Sequence, residues 1–179
     1  LICLSGGMKG PINDHLHHGQ NDKAEEELLR LKSIFGDRFY IELQRHNLAA
    51  EDNIEDALID LAYKHDVQLV ATNDCYFPER ATHEAHDALL CISEGRYVTE
   101  EDRRKVTPEH YFKSSAEMCE LFKDVPEAIQ NTLTIAQRCS FLLEPIKPLL
   151  PAFDTEGGRS ETEELRAQSK AGLQWRIDN

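Results

Sequence analysis

The sequence predicts an α/β domain built on parallel strands, with about half the strands of a barrel and a helical C-terminal extension. Two short β-branched and aromatic runs carry that prediction, Phe39-Tyr-Ile-Glu-Leu43 and Gln68-Leu-Val-Ala-Thr72, each reading as a buried strand. Segments of helical periodicity separate them, and strands joined by helices of this length pair in parallel through right-handed crossovers. Each run also ends in side chains able to hold a metal, Glu42 and His46 after the first and Asp74 after the second. Carboxylates and imidazoles at the carboxyl ends of parallel strands are how α/β barrels build metal-dependent sites.

Taken in order, Leu1-Ile-Cys-Leu4 reads as a buried strand at the very start, which suggests a segment of a longer protein. Ser5-Gly-Gly-Met-Lys-Gly-Pro11 is turn chemistry. A helix is predicted from about Asn21 to Phe35, where Ala24, Leu28, Leu31 and Phe35 recur at helical spacing and Gly36 stops it. The strand Phe39 to Leu43 follows, then a helix from about Glu51 to His65 with Ile54, Leu58, Leu61 and Ala62 on one face. After the strand Gln68 to Thr72, a helix spans Arg80 to Ile92. Val98 to Val106 is a charged connector, and Tyr111-Phe112 is a short extended anchor.

Ser114 or Ser115 caps a compact helix carrying Met118, Leu121 and Phe122. Asp124 with Pro126 starts another that carries Ile129, Leu133 and Ala136. Pro145, Pro148 and Pro151 make Leu142 to Gly158 a linker, and Ser160 with Glu163 forms a capping box ahead of a weakly apolar helix. The expected division is 1–113, a half-barrel; 114–144, its helical end; and 145–179, a proline-rich linker with the start of another region. Leu28, Leu31, Met118, Phe122 and Leu133 are expected in the core.

Composition narrows the function. Lys and Arg number 20 against 33 Asp and Glu, a formal charge of -13, which disfavours a broad phosphate-neutralising surface on this segment. No apolar run approaches a membrane span. The five cysteines are odd in number and lack a C-x-x-C pair, as in reduced cytoplasmic thiols.

Several blocks in one order carry a family resemblance: Leu1-Ile-Cys-Leu-Ser-Gly, Phe35-Gly-Asp-Arg-Phe-Tyr-Ile-Glu-Leu-Gln-Arg-His46, Leu69-Val-Ala-Thr-Asn-Asp74, Glu84-Ala-His-Asp-Ala-Leu-Leu-Cys-Ile92 and Tyr111-Phe-Lys-Ser. They resemble the alpha subunits of bacterial DNA polymerase III, the C-family replicative polymerases, from the second half of the PHP (polymerase and histidinol phosphatase) domain into the start of the palm. The likeness covers nearly the whole chain and weakens after about Pro151. It implies a partial PHP-type distorted (β/α)7 barrel, and a parent enzyme that is a DNA-directed DNA polymerase using Mg. The complete PHP domain would hold Zn or Mn, with none or a partial complement in this segment. Implied partners are the remainder of the alpha subunit and the proofreading exonuclease subunit, with DNA bound by the parent, no membrane, and a cytoplasmic location.

The resemblance also implies ligand positions. Glu42 and His46 match the middle pair of the family's trinuclear site, and Asp74 matches the Asp of its late D-x-H motif. Tyr76 stands where the late His is expected, and a phenol with a pKa of about 10 is a poor substitute for imidazole. A degenerate metal site is therefore expected, and no catalytic residue is assigned. Read without the family, Glu42 and His46 are a strand-end carboxylate and a loop histidine that hydrogen-bond, and Asp74 is an Asx turn or helix cap. His83 and His86 are explained by capping and packing as well as by metal contact, and Cys75 reads as a small buried filler. Asp14-His-Leu-His-His18 imitates an opening H-x-H but falls on an expected helix or loop. The alternative function is a metal-dependent PHP phosphoesterase or 3'-5' exonuclease-like hydrolase.

Overall fold

A computed structural model describes the backbone of residues 1–179 and every side chain except that of Glu156. Three strands form an open parallel sheet in the order β1 (Cys3–Leu4), β2 (Phe39–Leu43), β3 (Gln68–Ala71). The register pairs Cys3 with Phe39 and Tyr40 with Gln68, running to Leu43 with Ala71. Phe39, Tyr40, Ile41 and Leu43 are all buried, as expected of a central strand covered on both faces. The two-residue β1 is less enclosed than a buried strand would be: Cys3 is half-buried and Leu4 exposed.

Helices α1 (Pro11–His17) and α2 (Asn21–Phe35) connect β1 to β2, and α3 (Ala49–Lys64) connects β2 to β3. The turn-like stretch and the Asp14–His18 run thus contain one short helix, with Pro11 at its first position, where the missing N–H costs nothing. Ile12 and Leu16 of α1 enter the core beside Leu28, Ile54 and Leu58. Gly36 ends α2 at φ 58°, a conformation that a side chain would strain.

Helix α4 (His83–Glu94) follows a 3-10 turn at Arg80–Thr82. The anchor expected at Tyr111-Phe112 is a parallel bridge between Phe77 and Tyr111, with Tyr76 N–H donating to His110 O at 2.9 Å and Phe112 N–H to Phe77 O at 3.0 Å. Next come α5 (Ser115–Leu121) and α6 (Pro126–Arg138), and α6 packs on β3. Leu28 and Phe122 are buried, while Leu31 and Met118 pack half-buried on the core.

Leu133 is 68% exposed, so its core assignment is corrected. The inward face of α6 is rotated by about one residue, roughly 100°, so that Ala128 is buried and Asn131 faces β3. Asn131 Nδ2 donates to Leu69 O at 2.8 Å, satisfying a carbonyl at the sheet's edge. Val125, not Asp124, occupies the N-cap position of α6, without a side-chain cap.

Ser114 caps α5 through a reciprocal box: its hydroxyl accepts the Glu117 N–H, and Glu117 accepts the Ser114 N–H at 2.7 Å. Glu117 also accepts the Tyr111 hydroxyl at 2.6 Å. The Ser114 hydroxyl, then Tyr111, then the Ser114 N–H hold its carboxyl down at about 2. Because the folded pKa lies below the unfolded one, this stabilisation is present above about pH 4.5 and is lost as pH falls through the folded value. Ser114→Ala should cost about 1 kcal/mol at pH 7, with a smaller difference from the parent near pH 2, measured by urea unfolding at both pH values.

Residues 1–140 form one compact unit and 141–179 another. The second has no helix or strand from 141 to 155. Its helix α7 (Glu161–Asp178) begins at the Ser160–Glu163 capping box and buries no residue.

Candidate functional site

A pocket of about 390 Å³ lies at the carboxyl ends of β2 and β3, lined by Lys9, His46, Glu51, Asp74, Tyr76 and His110 among others. Three of the four positions singled out in the sequence therefore share one concavity. The fourth, Glu42, faces a separate small cavity. The difference follows from strand geometry: Glu42 belongs to β2 and its direction is fixed by the pleat, whereas His46 lies beyond the strand's end.

His46 is 1% exposed and has partners on both sides of its ring. Its Nδ1 lies 2.8 Å from Glu51 Oε1 and donates there, while its backbone N–H donates to Glu51 Oε2 at 2.6 Å. Its Nε2 accepts the Asp74 backbone N–H at 3.2 Å. This pattern is that of a neutral imidazole with the proton on Nδ1. His110 stacks on it with centroids 4.0 Å apart and planes 13° from parallel. His110 Nδ1 sits within 3.2 Å of Thr107 O, and the Thr107 hydroxyl donates to His46 O at 2.7 Å. Burial first, and then the neighbouring His46, push the His110 pKa below the ordinary imidazole value.

Glu42 is engaged elsewhere. Its Oε1 accepts the Thr72 hydroxyl and Gln44 Nε2, the latter at 3.3 Å, and its backbone N–H donates to Ser5 Oγ at 2.9 Å. Gln44 Nε2 also donates to Thr72 Oγ1 at 3.1 Å. A methyl group on Gly7 would overlap Gln44 Oε1. Gly7→Ala should therefore displace Gln44 and lower stability by about 1–2 kcal/mol, while Gly7→Ala with Gln44→Ala should show less than the sum of the single losses. A double-mutant cycle by urea unfolding checks it.

Tyr76 does not reach toward Glu42. Its ring lies 5.6 Å from those of both His110 and His86, with the Arg104 guanidinium 5.9 Å above it. His83 and His86 pack against Phe77, at 5.8 and 5.2 Å, and His83 Nε2 meets Val106 O at 2.9 Å. Cys75, expected as a buried filler, is exposed. Phe77 takes the buried position instead, because β3 has already ended at Ala71 and the chain turns outward at Cys75.

The residues present do not fit a shared metal ion in this arrangement. Both His46 ring nitrogens face protein partners, and Glu42, which does not line the pocket, is bonded to Thr72 and Gln44. Among the described residues, no three His, Cys, Asp or Glu groups converge to hold a metal. Two members of the site were not recognised in the sequence. Glu51 reads there only as an acidic residue at the start of a helix. His110 carries no periodic or motif signal.

Arg45, between Gln44 and His46, anchors the strand-end loop. Its guanidinium lies 2.6 Å from Glu55 and 2.7 Å from Asp124, donates to Leu121 O, and sits 4.6 Å over the Phe122 ring. The carboxylates of Asp124 and Glu55 push the Arg45 pKa up, and Arg45 in turn lowers that of Asp124. Asp124 thus serves the loop rather than the helix start expected of it.

Residues 1–46 match the PHP domain family. The chain is 50% identical over 178 residues to the DNA polymerase III subunit alpha of Caulobacter vibrioides, covering 99% of this chain and 16% of that protein. It is 46% identical over 180 residues to the subunit alpha of Rickettsia bellii, and 39% identical over 179 residues to that of Pseudomonas aeruginosa, each match covering 99% of this chain and 15% of the relative. The chain spans about a sixth of the length of these relatives.

Proposed function

We propose, from a chain that is homologous along 99% of its length to one segment of the DNA polymerase III alpha subunit, that it serves as the PHP scaffold and docking segment of a bacterial replicative DNA polymerase. The observation that carries this reading is the colinear match of the whole chain to one subunit, at 36–50% identity. In the proposed division, residues 1–113 belong to a distorted (β/α)7 barrel, 114–144 close it with helices, and 145–179 lead through the proline-rich linker toward the palm. Polymerisation by Mg-assisted phosphoryl transfer belongs to the parent protein, whose carboxylates lie outside this chain. Its work is cytoplasmic, with the rest of the alpha subunit and a proofreading exonuclease subunit as partners.

The metal site of this segment is proposed to be degenerate. The allocation of His46 to Glu51 and the Asp74 N–H, of Glu42 to Thr72 and Gln44, and of Tyr76 to the His110 and His86 rings supports that reading over a Zn- or Mn-dependent phosphoesterase or 3'-5' exonuclease. No helix among the described residues is long and apolar enough to cross a membrane.

Two assays on the full-length polypeptide test the proposal. Extension of a primed template with deoxynucleotides and Mg, without hydrolysis of a phosphate ester in Zn or Mn, is the expected pair of results. Ester hydrolysis abolished by His46→Ala, with no primer extension, would establish the hydrolase instead.

A further inference from the structure

Asn13 on α1 is 4% exposed, and its Oδ1 is buried without a hydrogen-bond partner among the described residues. A buried carbonyl oxygen in that condition is unfavourable, so it calls for a donor. Oδ1 belongs to a side chain that lines a cavity of about 10 Å³ between α1, the end of β2 and the first turns of α3.

The other side chains around this cavity do not supply the donor. Glu42, Glu51 and Glu55 offer only acceptor oxygens when ionised. Gln44 has an amide donor, but its Nε2 is committed to Glu42 and Thr72. The remaining walls include Leu43, Ile54 and Leu58. A space lined by acceptors, one of them the unpartnered Asn13 Oδ1, with room for about one water molecule, is the size and polarity that holds a single water.

We propose that this cavity is a binding site for one ordered water, which donates one hydrogen to Asn13 Oδ1 and the other to a Glu42 carboxylate oxygen. The water ties α1 to the end of β2 and helps hold Glu42 where Thr72 and Gln44 already engage it. A metal ion fits less well. Glu51 is bonded to His46 and Glu55 to Arg45, and among the described residues no three acidic or imidazole groups converge. The inference concerns a site on α1 and β2 and does not depend on which reaction the parent protein performs.

The test is a high-resolution crystal structure of the full-length polypeptide, with a parallel crystal soaked in thallium(I) to reveal monovalent cations by anomalous scattering. The expected result is a density peak at about 2.7–3.1 Å from Asn13 Oδ1 without thallium signal. Asn13→Asp, which keeps an acceptor oxygen of the same reach, should retain the peak, and Asn13→Leu should lose it. A thallium peak in the cavity would replace the water with a cation and overturn the proposal. A cavity without density in the parent protein would overturn it as well, as would a peak that survives in Asn13→Leu.

Discussion

Arg45→Met is expected to destabilise the first compact unit by about 2–3 kcal/mol, because the half-buried guanidinium makes several hydrogen bonds to charged groups at once. The guanidinium holds four groups at once: Glu55, Asp124, the Leu121 carbonyl and the Phe122 ring. Methionine keeps much of the aliphatic stem's packing, so the loss reports chiefly on the polar head. Glu55 is left with its side chain only 19% exposed and no cation beside it, and the turn joining α5 to α6 loses its tie to β2. Asp124 is well exposed and contributes less, because water replaces its partner. Urea unfolding of the Arg45→Met, Glu55→Gln and double variants should show strong coupling between Arg45 and Glu55. Additive losses would mean that the hub does not act as a unit.

Glu51→Ala is expected to cost about 2–4 kcal/mol, because both carboxylate oxygens serve His46. One accepts the ring Nδ1–H and the other the backbone N–H, and neither donor has water within reach, since His46 is 1% and Glu51 6% exposed. Glu51→Gln retains one acceptor oxygen and should recover part of the loss. The imidazole nitrogen chemical shifts of His46 provide a second readout. Loss of the Glu51 acceptor should shift the tautomer away from the Nδ1–H form, whereas a purely steric role for Glu51 would leave it unchanged.

These two residues also mark what could be read from the chain. Strands β2 and β3 and helices α2 and α3 were legible because their apolar residues repeat with one period and meet one core: Phe39, Ile41 and Leu43 from one strand, Leu28, Ile54 and Leu58 from the helices. Helix α1 could be read only as a helix or loop, because of its own composition. Three glycines and a proline stand at its approach, and its seven residues give a periodic pattern too few turns to register. The face of α6 was misjudged because a polar residue, Asn131, points inward to serve a backbone carbonyl, and periodicity counts such residues as outward.

The site divides along the same line. His46, Asp74 and Tyr76 could be placed together because each follows the end of a strand, where chain direction alone decides the location. How those side chains are committed depends on residues distant in sequence: Thr72 for Glu42, and His110, sixty-four positions from His46, for the ring stack. No local pattern encodes such pairings. The difference between a metal ligand and a satisfied buried histidine lies in them, since the same imidazole can present a lone pair to a cation or accept a backbone N–H.

The most direct test of a scaffold with a degenerate site is metal content, measured by plasma mass spectrometry on the full-length polypeptide purified without chelator, beside its Tyr76→His variant. The account predicts well under a trinuclear complement of Zn or Mn in the parent protein and a higher content in the variant, whose new imidazole would join His46, Asp74 and His110 around the pocket. A full complement in the parent protein, unchanged by the substitution, would contradict it.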